Sequence, residues 1–293
     1  TEKVVKGIKA SALKLSEMSM QSGDLNLQVS ELAIPDPDKL PAGVTGSFSG
    51  KTDLASALSA ARPFVSIPQG LEVSGQTELS GNLESGKQTH STRLQLVTTG
   101  LRVRGPNGAS LEENRMELSA DLEATPGQQT VTFQPLKVTS SPGLLQLTAS
   151  GSLNDWGGEK LLNAEGTIRP DLARISDFVG TWTGRELRLE GKDEGQFDVR
   201  TSLRDTSPRS LLENTKGTAR VPVKQGGMSG LVVRDLAMNV DAQEGRARST
   251  IAGSLNNGKL DLAPTVQVDD GVPVMVMPES RQVLSGVRIE GGT

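Results

Sequence analysis

Few residues in this chain are equipped for chemistry, and their spacing narrows the options further. Its 293 residues include one histidine, no cysteine and no tyrosine. Without cysteine there is no thiolate zinc site, no iron–sulfur cluster, no disulfide and no thiol nucleophile. One histidine cannot make a multi-histidine metal site within one chain. His90 lies in the polar stretch Gly86-Lys87-Gln88-Thr89-His90-Ser91-Thr92. As a general base it would need a carboxylate on one ring nitrogen and a nucleophile on the other. No Gly-x-Ser-x-Gly elbow supplies that nucleophile, and the stretch reads as a solvated hairpin turn. Asp36-Pro37-Asp38 and Asp269-Asp270-Gly271 bring carboxylates together, but neither matches the twelve-residue calcium loop and both read as turns. Glu112-Glu113 would need a cleft and a perturbed pKa to act as acid or base; the pair reads as solvated loop. Gly226-Gly227-Met228-Ser229-Gly230 could cradle a phosphate if a helix followed. The strand-like Leu231-Val232-Val233 follows instead, so a loop between strands is expected. No catalytic, cofactor-binding or metal-binding residue is assigned, no cofactor is expected, and the chain is not expected to be an enzyme.

Charge and composition narrow the partners. Thirty-one Lys and Arg stand against 35 Asp and Glu, for a net charge of −4. Both signs are interspersed, which argues against a nucleic-acid footprint. Five Phe and two Trp are too few for a base-stacking surface. No run approaches the roughly 20 apolar residues of a membrane span. The chain opens Thr1-Glu2-Lys3-Val4, with neither an initiator Met nor an apolar leader. It is expected to be a piece of a longer protein or a mature chain, with any signal or membrane anchor outside this window.

The elements that must position these residues are strands. Met116, Leu118, Ala120, Leu122 and Ala124 alternate, as do Leu145, Leu147, Ala149, Gly151 and Leu153. Leu71 through Leu83, Leu187/Leu189/Gly191, Phe197 through Leu203 and Ala247/Ser249/Ile251/Gly253/Leu255 follow the same rhythm. Side chains two apart on a strand share a face, so each stretch makes one apolar and one polar face. That is the pattern of antiparallel strands with one wet side. Asn256-Asn257-Gly258 is the strongest hairpin signal, with Ser22-Gly23-Asp24, Pro106-Asn107-Gly108 and Asn154 through Gly158 as further turns. Short helices are expected after Thr52 or Asp53 (carrying Leu54, Ala57, Leu58 and Ala61, with Pro63 near its end), after Pro170-Asp171 (ending at Gly180) and after Ser207-Pro208. Val272 through Pro278, with two prolines, fits an edge strand buried against the body or an exposed apolar lip. Trp156 and Trp182, beside glycines in turns, fit plugs at the ends of β-layers.

Faint repetition accompanies this pattern. Gly-Ser-(Phe/Leu) recurs at Gly46, Gly151 and Gly253, each followed by Asp-Leu-Ala at Asp53, Asp171 and Asp261. The expected weak repeats lie near 40–60, 145–180 and 247–268. No linker divides the chain, so residues 1–293 are expected to form a single elongated β-rich unit. The fold class is mainly β: an elongated, twisted antiparallel meander sheet, as a curled groove, a roll or sandwich-like, with two or three short helices. Aromatic rings are scarce, so the apolar face is built from Leu, Val, Ile and Ala.

Leu145-Gln-Leu147-Thr-Ala149-Ser-Gly151-Ser-Leu153, then Asn163-Ala-Glu-Gly166-Thr-Ile168-Arg-Pro170-Asp171-Leu172-Ala173 and a short helix, resemble the AsmA-like/TamB-like envelope proteins. Gly253–Val268 resembles them too. The resemblance implies a curled antiparallel sheet in the periplasm of a Gram-negative-type envelope. It further implies a part in lipid transport or outer-membrane assembly. The family offers no catalytic residues, and its N-terminal anchor is missing from this window. The expected partners are phospholipid acyl chains or envelope proteins. The candidate groove residues are Leu118, Leu122, Leu145, Leu147, Leu187, Leu189, Ile251 and Leu255. The alternative is a structural or protein-interaction β module, stalk- or adhesin-like, whose apolar faces cover one another and hold no ligand.

Overall fold

The computed structural model describes residues 13–22, 25–34, 43–61, 70–184, 188–228, 231–243, 245–255, 258–269, 272–276 and 284–285. Leu187, the Asp36-Pro37-Asp38 turn, Asp270-Gly271, Ser229-Gly230 and Asn256-Asn257 lie outside the described residues.

Alternation in the sequence becomes a meander. Strands β1 (Leu13–Ser22), β2 (Leu25–Ile34) and β3 (Thr45–Asp53) lead into helix α1 (Leu54–Ala61). Then come β4 (Glu72–Ser85), β5 (His90–Arg104), β6 (Ser110–Thr125), β7 (Thr130–Ser141), β8 (Leu145–Asn154) and β9 (Leu161–Pro170). Each pairs antiparallel with the next. Helix α2 (Leu172–Thr183) and the short β10 (Arg188–Glu190) interrupt the order, and β9 pairs with β11 (Gly195–Ser202). Helix α3 (Pro208–Asn214) precedes β12 (Lys216–Met228), which pairs along its length with β11, β10 and β13 (Leu231–Gln243). The meander continues through β14 (Arg246–Leu255), β15 (Gly258–Leu262), β16 (Thr265–Asp269) and β17 (Val272–Val276), with β18 (Leu284–Ser285) beside β15. All 18 strands belong to one sheet. It is open: among the described residues β1 pairs only with β2, and β17 only with β16. The expected mainly-β antiparallel meander with three short helices is the architecture found, as one open sheet.

Register carries the apolar residues to one face. Bulges maintain this where the strict even–odd rhythm breaks. On β5, Leu94, Leu96 and Thr98 are followed by an extra residue at Gly100 (φ 61). That residue reverses the alternation, so Val103 meets Val73 on β4 instead of turning to the polar side. On β7 the extra residue falls at Gln134-Pro135, and Phe133 and Leu136 stay on the face of Leu122 and Ala120. Proline suits a bulge because one residue there leaves the ladder. A third bulge at Glu31 (φ 55) lets Val29 and Leu32 share a face on β2.

The three helices begin where their caps predict. Asp53 Oδ1 accepts from Ala55 N (3.0 Å) and Ser56 N (3.2 Å), Asp171 Oδ1 from Arg174 N (3.3 Å), and Ser207 Oγ from Ser210 N (3.3 Å). Each satisfies an amide that has no partner inside the helix. Helix α2 runs past the expected stop at Gly180 to Thr183. Gly180 is buried inside it, and Gly184, with φ 66, forms the left-handed cap.

Candidate functional site

The apolar face forms a trough that runs across the strands. Direct ladder partners make one row: Leu27, Gly50, Leu79, Leu96, Leu118, Val138, Leu147, Ile168 and Gly195. A second row passes through Val29, Phe48, Gly81, Leu94, Ala120, Leu136, Ala149, Gly166, Phe197, Ala219 and Val240. At about 4.8 Å per strand, the first row extends about 40 Å.

Glycines on this face stand where neighbouring backbone comes close. A Cβ on Gly166 would stand 2.1 Å from Thr148 O and 2.8 Å from Ala149 Cα. One on Gly151 would stand 2.0 Å from Asn163 O, and one on Gly217 2.1 Å from Asp198 O. Opposed Cβ atoms in an ordinary ladder are about 4.5–5.5 Å apart. At each of these positions the neighbouring backbone stands where a side chain would begin, so glycine is the residue that fits. Phe48 and Phe133 fill the space left by glycine: their rings lie where the Cβ atoms of Gly81 (2.5 Å) and Gly151 (2.6 Å) would be.

The trough is partly covered. The fully buried apolar residues among those described are Leu101, Ala109, Ala120, Ala149, Leu172 and Val223. The large side chains of the rows, including Leu79, Leu96, Leu118, Leu147, Ile168 and Phe197, are only half-buried.

The candidate groove residues fall into three groups. Leu118 and Leu147 share the first row, two strands apart. Leu122 lies beside them, opposite Phe133, and Ile251 lies farther along the same face between Met238 and Leu262. Leu145 stands at the rim opposite Pro170. Leu189 accompanies helix docking: its amide donates to Ser176 Oγ of α2 (3.0 Å). Leu255 ends β14 opposite Gly258, across a two-residue connection, and Leu187 is outside the described residues.

Helix α2 seals one rim, held by polar contacts. Glu113 is 1 % exposed. Its carboxylate accepts from Arg174 on α2 and from Gly143 N (3.3 Å), while Arg174 also donates to Glu112 O. The expectation of a solvated Glu112-Glu113 loop fails here: both residues lie on β6, and Glu113 anchors the helix. At the far end Trp182 packs on Gly105, and Asn107 Nδ2 donates to the Trp182 carbonyl (2.9 Å). Phe178 meets the Trp182 ring edge-on at 5.4 Å. Burial pushes the Asp171 carboxyl upward. The Lys192 ammonium at 2.8 Å and the Arg174 amide outweigh it, so the net shift is below the ordinary range.

Other groups with chemical capacity serve local structure. His90 Nδ1 is hydrogen-bonded to the buried Ser85 Oγ across the mouth of the β4–β5 hairpin. Among the described residues, no cluster of three or more His, Cys, Asp or Glu could hold a metal ion. The sheet has further open depressions. One, of about 630 Å³, is lined by polar residues such as Asp198, Arg220, Asp241 and Arg248 together with Phe197, Ala219 and Val240 of the second row, and its mixed charges define no single ligand chemistry. No described helix is long and apolar enough to cross a membrane.

No protein-family model, curated protein or solved structure matches this chain. The site is therefore read from its own geometry. Sequence periodicity placed leucines and also Gly81 and Gly151 in the apolar phase, but did not reveal the close backbone contacts that these glycines make. Their signal was present: Gly46, Gly50, Gly81, Gly151 and Gly166 all occupy apolar-phase positions where a strand would otherwise carry Leu or Val.

Proposed function

We propose that this chain is a non-enzymatic, AsmA-like/TamB-like segment of the periplasm or cell envelope. It contributes to lipid transport or outer-membrane assembly by bedding phospholipid acyl chains in its apolar trough. The carrying observation is the first apolar row, continuous over nine strands, whose Leu, Val and Ile side chains are only half-buried. Contiguous apolar surface of that extent marks a binding face rather than ordinary surface. Branched aliphatic side chains and glycine present a smooth lining without hydrogen-bond donors, which suits an alkyl chain and selects for no particular head group. Three bulges keep the lining unbroken, as expected of a surface that is used along its whole length.

The test combines extraction with mapping. Organic extracts of the purified chain are analysed by mass spectrometry and should contain phospholipid. A photoreactive amino acid at Leu118 or Leu147 should crosslink to lipid, whereas one at Ser119 or Thr148, on the polar face, should not. Leu118→Asp with Leu147→Asp should reduce bound lipid at least tenfold. Absence of lipid, or equal crosslinking from both faces, would overturn the proposal.

A further inference from the structure

We propose that the Asn107-Gly108 step is a site of spontaneous deamidation, and that its conversion to an acid releases the C-terminal end of helix α2. The chain has two Asn-Gly steps, at Asn107 and Asn257. Glycine favours the reaction, because no side chain shields its backbone nitrogen from the asparagine amide carbon. Asn107 and Gly108 are both exposed, and a Cβ on Gly108 would meet nothing within 4 Å. Water therefore reaches the step. The two residues occupy the tight turn between β5 and β6, closed by Gly105 N donating to Ala109 O (2.9 Å). Asn107 has φ 59 and ψ 19, in the left-handed region that asparagine and aspartate tolerate better than other side chains.

The contact made by this asparagine gives its conversion a consequence. Its Nδ2 donates to the Trp182 carbonyl (2.9 Å), and Trp182 is the penultimate residue of α2. That carbonyl is one of the last four, which have no amide partner within the helix, and it lies at the negative end of the helix dipole. Asn107 supplies the missing donor. The Trp182 ring packs on Gly105 of the same turn, where a Cβ would stand 2.8 Å from the indole. The turn thus grips Trp182 by backbone and by ring. In the reaction Gly108 N attacks Asn107 Cγ, and its proton leaves with the side-chain nitrogen as ammonia, closing a succinimide. Water then opens either ring C–N bond, leaving aspartate, or isoaspartate with a backbone longer by one methylene. Neither product can donate to Trp182 O, and both set a carboxylate against the negative end of the helix. The Arg174 contacts near the start of α2 are untouched, so the part released is the last turn. That this loosens a rim of the lipid trough rests on the reading above; the switch itself does not.

The experiment ages the full chain in mildly alkaline buffer. Asn257→Gln and Trp156→Phe are introduced so that one Asn-Gly step and one tryptophan remain. Tryptic mapping of residues 105–115 should show Asn107 converted to isoaspartate and aspartate. Trp182 fluorescence should move to longer wavelength, and its quenching by acrylamide should at least double, in step with the conversion. Asn107→Asp should show the aged fluorescence without ageing, since the left-handed turn accepts aspartate. Asn107→Gln, whose ring closure is far slower, should stay constant over time. Circular dichroism should keep the parent's strand signal, because only the last turn of α2 is freed. None of these readouts involves lipid, so the trough's cargo is judged separately. Asn107 staying intact while a synthetic peptide of residues 105–115 converts would overturn the proposal. So would conversion that leaves Trp182 fluorescence unchanged, or an Asn107→Asp variant that fluoresces like the parent.

Discussion

Two adjacent glutamates show how much position decides. Glu112 forms an exposed pair with Arg102, whereas Glu113 is almost fully buried against Arg174 and Gly143 N. Glu112→Ala should change the unfolding free energy by less than about 0.5 kcal/mol, since exposed pairs contribute little. Glu113→Ala should cost about 2 kcal/mol, because Arg174, 30 % exposed, loses its partner in a partly desolvated place. Urea unfolding of the two variants checks both values. Glycines divide in the same way. Gly166→Ala should destabilise by about 1–3 kcal/mol, as the added methyl meets the β8 backbone. Gly127→Ala, with open space around it, should be near neutral. None of these differences was legible in the sequence: Glu112 and Glu113 have equivalent local contexts, and only the close approach of the β8 backbone distinguishes Gly166 from a turn glycine.

At the scale of elements, helix α2 carries the clearest pH dependence. Asp171 is buried and has its pKa lowered, so its folded-state ionisation adds stability above the unfolded carboxylate pKa of about 3.9. That contribution is present at neutral pH and is lost as pH falls through the lower, folded-state pKa. Trp182 fluorescence, followed in a Trp156→Phe background, should report undocking of α2 in acid. Asp171→Asn should flatten that response and lower stability by about 1 kcal/mol at neutral pH. The helix starts were readable because Pro170-Asp171 and Ser207-Pro208 are local signals. The end of α2 was not, because Gly180 looks like a stop by composition yet is buried within the helix, and Gly184 performs the capping. Strands were readable from alternation wherever it ran unbroken, as in Met116 to Ala124. It broke at Gly100 and Gln134-Pro135, where bulges reset the phase, and no periodic pattern contains that information.

For the whole molecule, each strand leans chiefly on its ladder neighbours, and few residues form a shared core. Such an arrangement unfolds segment by segment rather than all at once. Amide hydrogen exchange should show greatest protection in β5, β6 and β7, which have long ladders on both sides. The five-residue β16 and β17 should open first. A single protection value shared by all strands would contradict this picture. The bulges add a constraint of another kind. Read in steps of two, the chain has a reading frame: trough residues occupy one phase and polar residues the other. Gly100 and Gln134-Pro135 are built-in frameshifts. Deleting one residue inside a strand therefore inverts every side chain up to the next turn. A compensating insertion farther along the same strand should suppress the defect, as a second frameshift rescues a gene. Length variation in this protein should accordingly collect in the hairpin turns, or arise in balanced pairs within strands.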